Sequence, residues 1–205
     1  MNKRLRCYFL LAVLSLGIPI SSSVYAESEA LKNLKIHIAS VQEVLSDPKL
    51  AGPQRRLERR HRAAAVLHRV FDFREMSRRS LGANARRHSG RLEEFTPLFV
   101  NLLEHTYMSQ LEENGNAQIE YVKELVDGDM AQVETKTKLK DGTEYSVNYK
   151  LHFGPSGWRV YDVVVEGVSI VNNYRAQFDR FLSKMSFDEL LQTLREKKRN
   201  LSQVS

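Results

Sequence analysis

A single cysteine, Cys7, stands in the 205 residues, so no disulfide can form within the chain, and because Cys7 falls in the leader segment described below, an exported chain would have no thiolate chemistry either. Other catalytic arrangements are missing as well. The histidines are His37, His61, His68, His88, His105 and His152; no two lie four residues apart and there is no HExxH, which excludes a two-histidine metal site on one helical face. Ser156 lies in GPSG and Ser169 in GVSIV, so neither occupies the GxSxG turn of a hydrolase. A glycine-rich phosphate loop, internal repeats and low-complexity stretches are all absent. Beyond the first residues there is no second apolar run of membrane-spanning length.

The apolar run that does occur is an address. Lys3, Arg4 and Arg6 precede Cys7 to Ile18, which is too short to span a bilayer, and Val24-Tyr25-Ala26 follows with the small-x-small pattern of a cleavage site. A signal peptide over residues 1–26 is therefore predicted, leaving 27–205 as one exported domain of 179 residues (205 less 26). Cys7 precedes the apolar run, so it is not a lipoprotein acylation site. Loss of the three basic residues would lower the net charge from +6 to +3. A chain of this length can bury a sizeable core without disulfides.

From Glu27 to about Asn114 the pattern is helical. Leu34, Ile38, Val41 and Leu45 recur at helical spacing until Asp47-Pro48. A second helix starts near Pro53, and Asp72 with Glu75 has capping-box spacing for a short helix that Gly82 ends as a left-handed C-cap. Ser89 is placed to cap a long helix, in which Pro97 predicts a kink or a late start. From about Ala117 the period becomes two. Ala131, Val133, Thr135 and Thr137 alternate with polar residues, and Tyr145, Val147, Tyr149, Leu151 and Phe153 share one face of the next strand. Asp127-Gly128 and Asp141-Gly142 are hairpin turns by their chemistry. Two helices close the chain, from Ser169 and from Ser186. The fold class is α+β: a four-stranded antiparallel sheet wrapped by helices.

Three features invite function. Asp162 and Glu166, four residues apart on an apolar strand, are either an acid–base pair of an exported enzyme or a structural group held by Arg175 or by the N–H groups after Ser169. The aromatic strand face, together with Phe99, Leu103 and Tyr107, is either an ordinary core or the wall of a cavity. The arginines Arg55, Arg56, Arg59 and Arg60 are either a solvated face or a docking surface. Export argues against nucleic acid and for an acidic partner or head group.

Residues Trp158 to Arg175, WRVYDVVVEGVSIVNNYR, resemble the closing motif of the MlaC (toluene-tolerance) family of periplasmic phospholipid-binding proteins. FDFREMSRRSLG at Phe71–Gly82 and EFTPLFVNLLEHTY at Glu94–Tyr107 are similar to two further blocks of that family, although Ala83-Asn84-Ala85 stands where members often carry an aromatic. The resemblance covers nearly the whole exported chain. It implies an apolar pocket between sheet and helices, lined by Phe99, Leu103, Tyr107, Tyr145, Val147, Tyr149, Leu151, Val163, Val165, Val168 and Val171. It further implies a monomeric periplasmic phospholipid shuttle with no cofactor, metal or catalytic residue. Its partners would be an inner-membrane MCE-domain transporter complex and an outer-membrane lipoprotein–porin complex. A hopanoid-associated branch shares the pattern and would carry a different lipid.

Overall fold

The computed structural model describes residues 27–202, with side chains to Asn200; the expected signal peptide lies outside the described residues. Helix α1 spans Glu29–Ser46. Ser28 caps it by accepting from the Leu31 N–H at 3.2 Å, and Asp47 leads into a short 3₁₀ turn at Pro48–Leu50. Helix α2 (Arg56–Val70) follows a second such turn over Pro53–Arg55. Asp72 caps α3 (Phe73–Leu81) through the Glu75 N–H at 2.9 Å. Gly82 has a positive φ of 56°, but its ψ of −124° is not that of the left-handed cap the sequence suggests. The chain turns at once into the short helix α4 (Ala83–Arg87), and the Arg175 guanidinium lies against Gly82. A Cβ there would stand 2.5 Å from Arg175 Nε, so only glycine fits both the backbone and the contact.

Ser89 does not cap the long helix. It sits in the 3₁₀ turn Ser89–Arg91, and α5 (Leu92–Asn114) starts late and runs through Pro97. Strands β1 (Gln118–Asp127), β2 (Met130–Lys138), β3 (Glu144–Gly154) and β4 (Gly157–Val165) form an antiparallel meander. A fifth strand, β5 (Val168–Ser169), makes the sheet one longer than expected, because the Glu166–Gly167 turn folds Val168 back opposite Val165. Helices α6 (Ile170–Leu182) and α7 (Phe187–Ser202) end the described chain, α7 with the Ser186–Glu189 capping box in place.

Two large apolar clusters hold these elements, with a smaller third formed by Ala63 and Leu67 of α2 against Met108 of α5. One lies between helices α1 and α2 and the sheet, around Leu34, Val66, Val133, Leu151 and Val160. The other is helical, with Phe95 and Phe99 of α5 against Tyr174 and Phe178 of α6 and Leu191 of α7. They meet at a bulge in β4. Lys150 pairs with Asp162 but Leu151 pairs with Val160, so Tyr161 is left over and turns into the helical cluster.

Candidate functional site: an apolar cavity under helix α1

Between α1, α2, α5 and the inner face of the sheet lies a cavity of about 320 Å³, at the lower end of the range usual for small-molecule sites, ~300–1,000 Å³. Helix α1 forms its roof through Leu34, His37, Ile38, Val41, Gln42 and Leu45. The sheet supplies Ile119, Thr137, Val147, Tyr149, Val163 and Val165 as the floor, and α5 supplies Leu103, Tyr107, Met108 and Leu111 as one wall. Leu67, Val70, Phe71, Phe73 and Met76 close the end near α2 and α3.

The roof is fastened at both ends. Ser28 Oγ donates to Glu124 of β1, and Gln42 Nε2 donates to the Ala117 carbonyl at 2.8 Å. Beside the second bond, Leu45 packs so closely on Gly115 that an added Cβ would come within 2.7 Å of Leu45 Cβ. The mouth follows from exposure. Of the lining residues only Gln110, Asn114 and Val165 are exposed, so the cavity opens between the last turns of α5 and the end of β4.

The polar groups of the lining are kept uncharged or paired. Burial, with Arg69 and Arg159 nearby, lowers the pKa of His37 below 6.5 and leaves its imidazole neutral at pH 7. Burial raises the Tyr149 phenol, and burial and then Tyr174 raise that of Tyr107, so both stay protonated. Glu104 Oε1 lies 3.3 Å from His68 Nε2.

The structure brings together six of the eleven residues expected at the pocket: Leu103, Tyr107, Val147, Tyr149, Val163 and Val165. Five stand elsewhere. Phe99 is fully buried among Phe95, Tyr174 and Phe178, and Val171 belongs to the same helical cluster. Leu151 is filled core behind the floor. Tyr145 and Val168 are 39% and 61% exposed, since the sheet ends at the mouth. The roof helix α1 was visible in the sequence only as an apolar stripe, with nothing to mark it as facing a hollow.

Asp162 and Glu166 are not a pair. Asp162 is buried, and its carboxylate accepts from Ser169 Oγ at 2.7 Å and the Val171 N–H at 3.1 Å, with Lys150 Nζ 3.6 Å away. It anchors the start of α6 through the N–H groups beyond Ser169, as one structural alternative had it, while Arg175 lies at Gly82. Glu166 is in the exposed turn after β4, with φ 48°. Its side chain accepts from the Ser146 N–H and its own N–H donates to the Ser146 carbonyl at 2.9 Å.

The arginines of α2 also differ from a plain surface. Arg59 and Arg60 both bond Glu112 of α5 at 2.9 Å and are largely buried, and Arg56 lies 3.5 Å from the same carboxylate. Burial would raise the Glu112 pKa, but the Arg60 and Arg59 bonds and charges outweigh it and hold the carboxylate below its ordinary range.

A sheet roofed by helices, with an apolar hollow where part of the core would be, defines a cavity-bearing α+β domain. No helix among the described residues is long and apolar enough to cross a membrane, and no group of side chains there could hold a metal ion. The chain belongs to the MlaC protein family, whose model matches residues 37–196. The fold is similar to that of the phospholipid-binding protein from Ralstonia solanacearum, solved in complex with a phospholipid. The TM-score is 0.74 at 22% identity, over 85% of this chain and 99% of that one. No curated protein matches the sequence.

Proposed function

We propose that this protein is a periplasmic phospholipid carrier that sheaths acyl chains in the cavity under α1 and leaves the head group at the mouth. The observation that carries this reading is the apolar cavity itself, in an MlaC-family chain. A fold neighbour that was solved with a phospholipid supports it. The physical need is large. Each acyl methylene costs about 0.8 kcal/mol to expose to water, so two long chains crossing an aqueous gap bare would meet a barrier on the order of ~20 kcal/mol. A protein that supplies the walls removes most of that barrier without making or breaking a bond. Acyl contact would fall on Val147, Tyr149 and Val163 of the floor, Leu103 and Tyr107 of α5, and Val165 at the exit.

Transfer would run between an outer-membrane lipoprotein–porin complex and an inner-membrane MCE-domain transporter. Docking on an acidic surface of either complex would rest on Arg55 and Arg56, whose side chains are 61% and 54% exposed. Arg59 and Arg60 are committed to Glu112. The test is organic extraction of protein purified from an envelope fraction, followed by mass spectrometry. Roughly stoichiometric diacyl phospholipid is the expected result. A hopanoid in its place would reassign the cargo, and protein that is lipid-free and takes up nothing from vesicles would sink the carrier reading.

A further inference from the structure

The mouth of the cavity adjoins a second hollow. A recess of about 230 Å³ shares Asn114 and Ala117 with the cavity and is bordered further by Glu113, Asn116, Lys140 and Asp141. It lies between the end of α5 and the β2–β3 hairpin, so a molecule whose chains fill the cavity would bring its polar end here. The three charges are not equivalent. Asp141 is already used, since its carboxylate accepts from the Thr143 N–H at 2.9 Å and shapes the hairpin turn. Glu113 and Lys140 border the same recess with opposite charge, yet among the described residues neither is engaged in a salt bridge or a side-chain hydrogen bond.

Resting on the carrier reading, we propose that this recess is a head-group subsite for a zwitterionic phosphoester, with Lys140 taking the phosphate and Glu113 the ammonium. An acid and a base left unpaired at one opening suit a ligand that carries both charges about a head group's length apart. The amides of Asn114 and Asn116 offer donors and acceptors between them. A purely anionic head group would meet Lys140 but would also face Glu113 and Asp141, which disfavour it. The recess thus adds head-group preference to a cavity that recognises only chains. Because the charges are exposed, the preference should be modest, about two- to fivefold, as for exposed ion pairs.

Purified full-length exported protein, stripped of lipid, is incubated with vesicles of equimolar phosphatidylethanolamine and phosphatidylglycerol with matched chains, and the bound lipid is quantified. The wild type should carry an approximately two- to fivefold excess of phosphatidylethanolamine. Glu113→Gln should bring the ratio to about one by lowering the share of phosphatidylethanolamine, and Lys140→Gln should lower retention of both lipids alike. A wild-type ratio of one, or a ratio that Glu113→Gln leaves unaltered, would overturn the head-group assignment while the carrier reading stood. Absence of any bound lipid would instead overturn the carrier reading. Glycerophosphoethanolamine, which has the same charges and no chains, should not bind; Glu113-dependent binding of it would make the recess a site for a soluble zwitterion and overturn the lipid assignment.

Discussion

Glu112 shows how much one side chain can change what a run of arginines means. Arg59 and Arg60, 53 and 52 residues away in sequence, converge on its carboxylate and tie α2 to α5. Glu112→Ala would leave two poorly solvated guanidinium groups without their acceptor. The expected cost is about 1–3 kcal/mol, read as a lower urea midpoint with an unchanged slope. Reversing all four arginines would therefore destabilise the fold as well as any docking. A cleaner docking test uses Arg55→Glu alone, because Arg55 pairs with the exposed Glu58 whereas Arg56 also lies against Glu112, with slower association and a flatter salt dependence expected.

His37 makes a pH prediction of the opposite kind. Its pKa lies below the ordinary 6.5 in the fold, mainly through burial, with Arg69 and Arg159 adding to it. Between the folded and unfolded pKa values the unfolded chain holds more protons. Stability from this group is thus fully present above pH 6.5 and falls as the pH drops through that window. Chemical denaturation at several pH values should show this slope in the wild type, and a smaller slope in His37→Gln.

At the scale of elements, β3 separates what alternation can reveal from what it cannot. Its period of two put Val147 and Tyr149 on the inner face from sequence alone, because parity is a property of a single strand. What lies opposite that face is not. Phe99 and Leu103 occur on the same helix, yet Phe99 is packed by three rings and Leu103 looks into space. The apolar pattern is the same in both cases, since hydrophobicity records exclusion from water and not the presence of neighbouring atoms. The β4 bulge hid another feature, for strict alternation could not place both Val160 and Val163 inward with Tyr161 in the helical cluster.

Two substitutions turn this difference into a measurement. Val147→Trp should add an indole to empty space, keeping or raising the thermal midpoint of delipidated protein while lipid uptake falls. A drop equivalent to about 1–3 kcal/mol would mean the position is packed. Phe99→Ala should do the reverse, costing about 3–5 kcal/mol through a new cavity. Uptake by whatever protein remains folded should be little changed.

For the molecule as a whole, the hollow is a standing cost. At about 24 cal/mol per Å³, a cavity of 320 Å³ forgoes on the order of ~8 kcal/mol relative to a packed interior. That is a large part of the ~5–15 kcal/mol by which domains are stable. An occupant that fills it should therefore raise stability substantially. Lipid-loaded protein is expected to melt well above the stripped form, and the midpoint should climb with added short-chain phospholipid below its micelle threshold. Equal melting of loaded and stripped protein would show that the occupant contributes no wall contacts.

The fastening of α1 also sets an order of events during folding. All strand pairs of the meander join sequence neighbours, so the sheet can zip hairpin by hairpin with little loop-closure entropy. The roof cannot. Ser28 meets Glu124 across 96 residues, and Gln42 meets Ala117 across 75. Closure of α1 over the floor thus costs far more chain entropy than the hairpins and should come after them. Until it comes, the inner face of the sheet is a bare apolar plane, and a chain caught at that stage is the form most exposed to aggregation. Substitutions in the roof should then speed unfolding and leave the folding rate nearly untouched, whereas substitutions in the β2–β3 hairpin should slow folding itself.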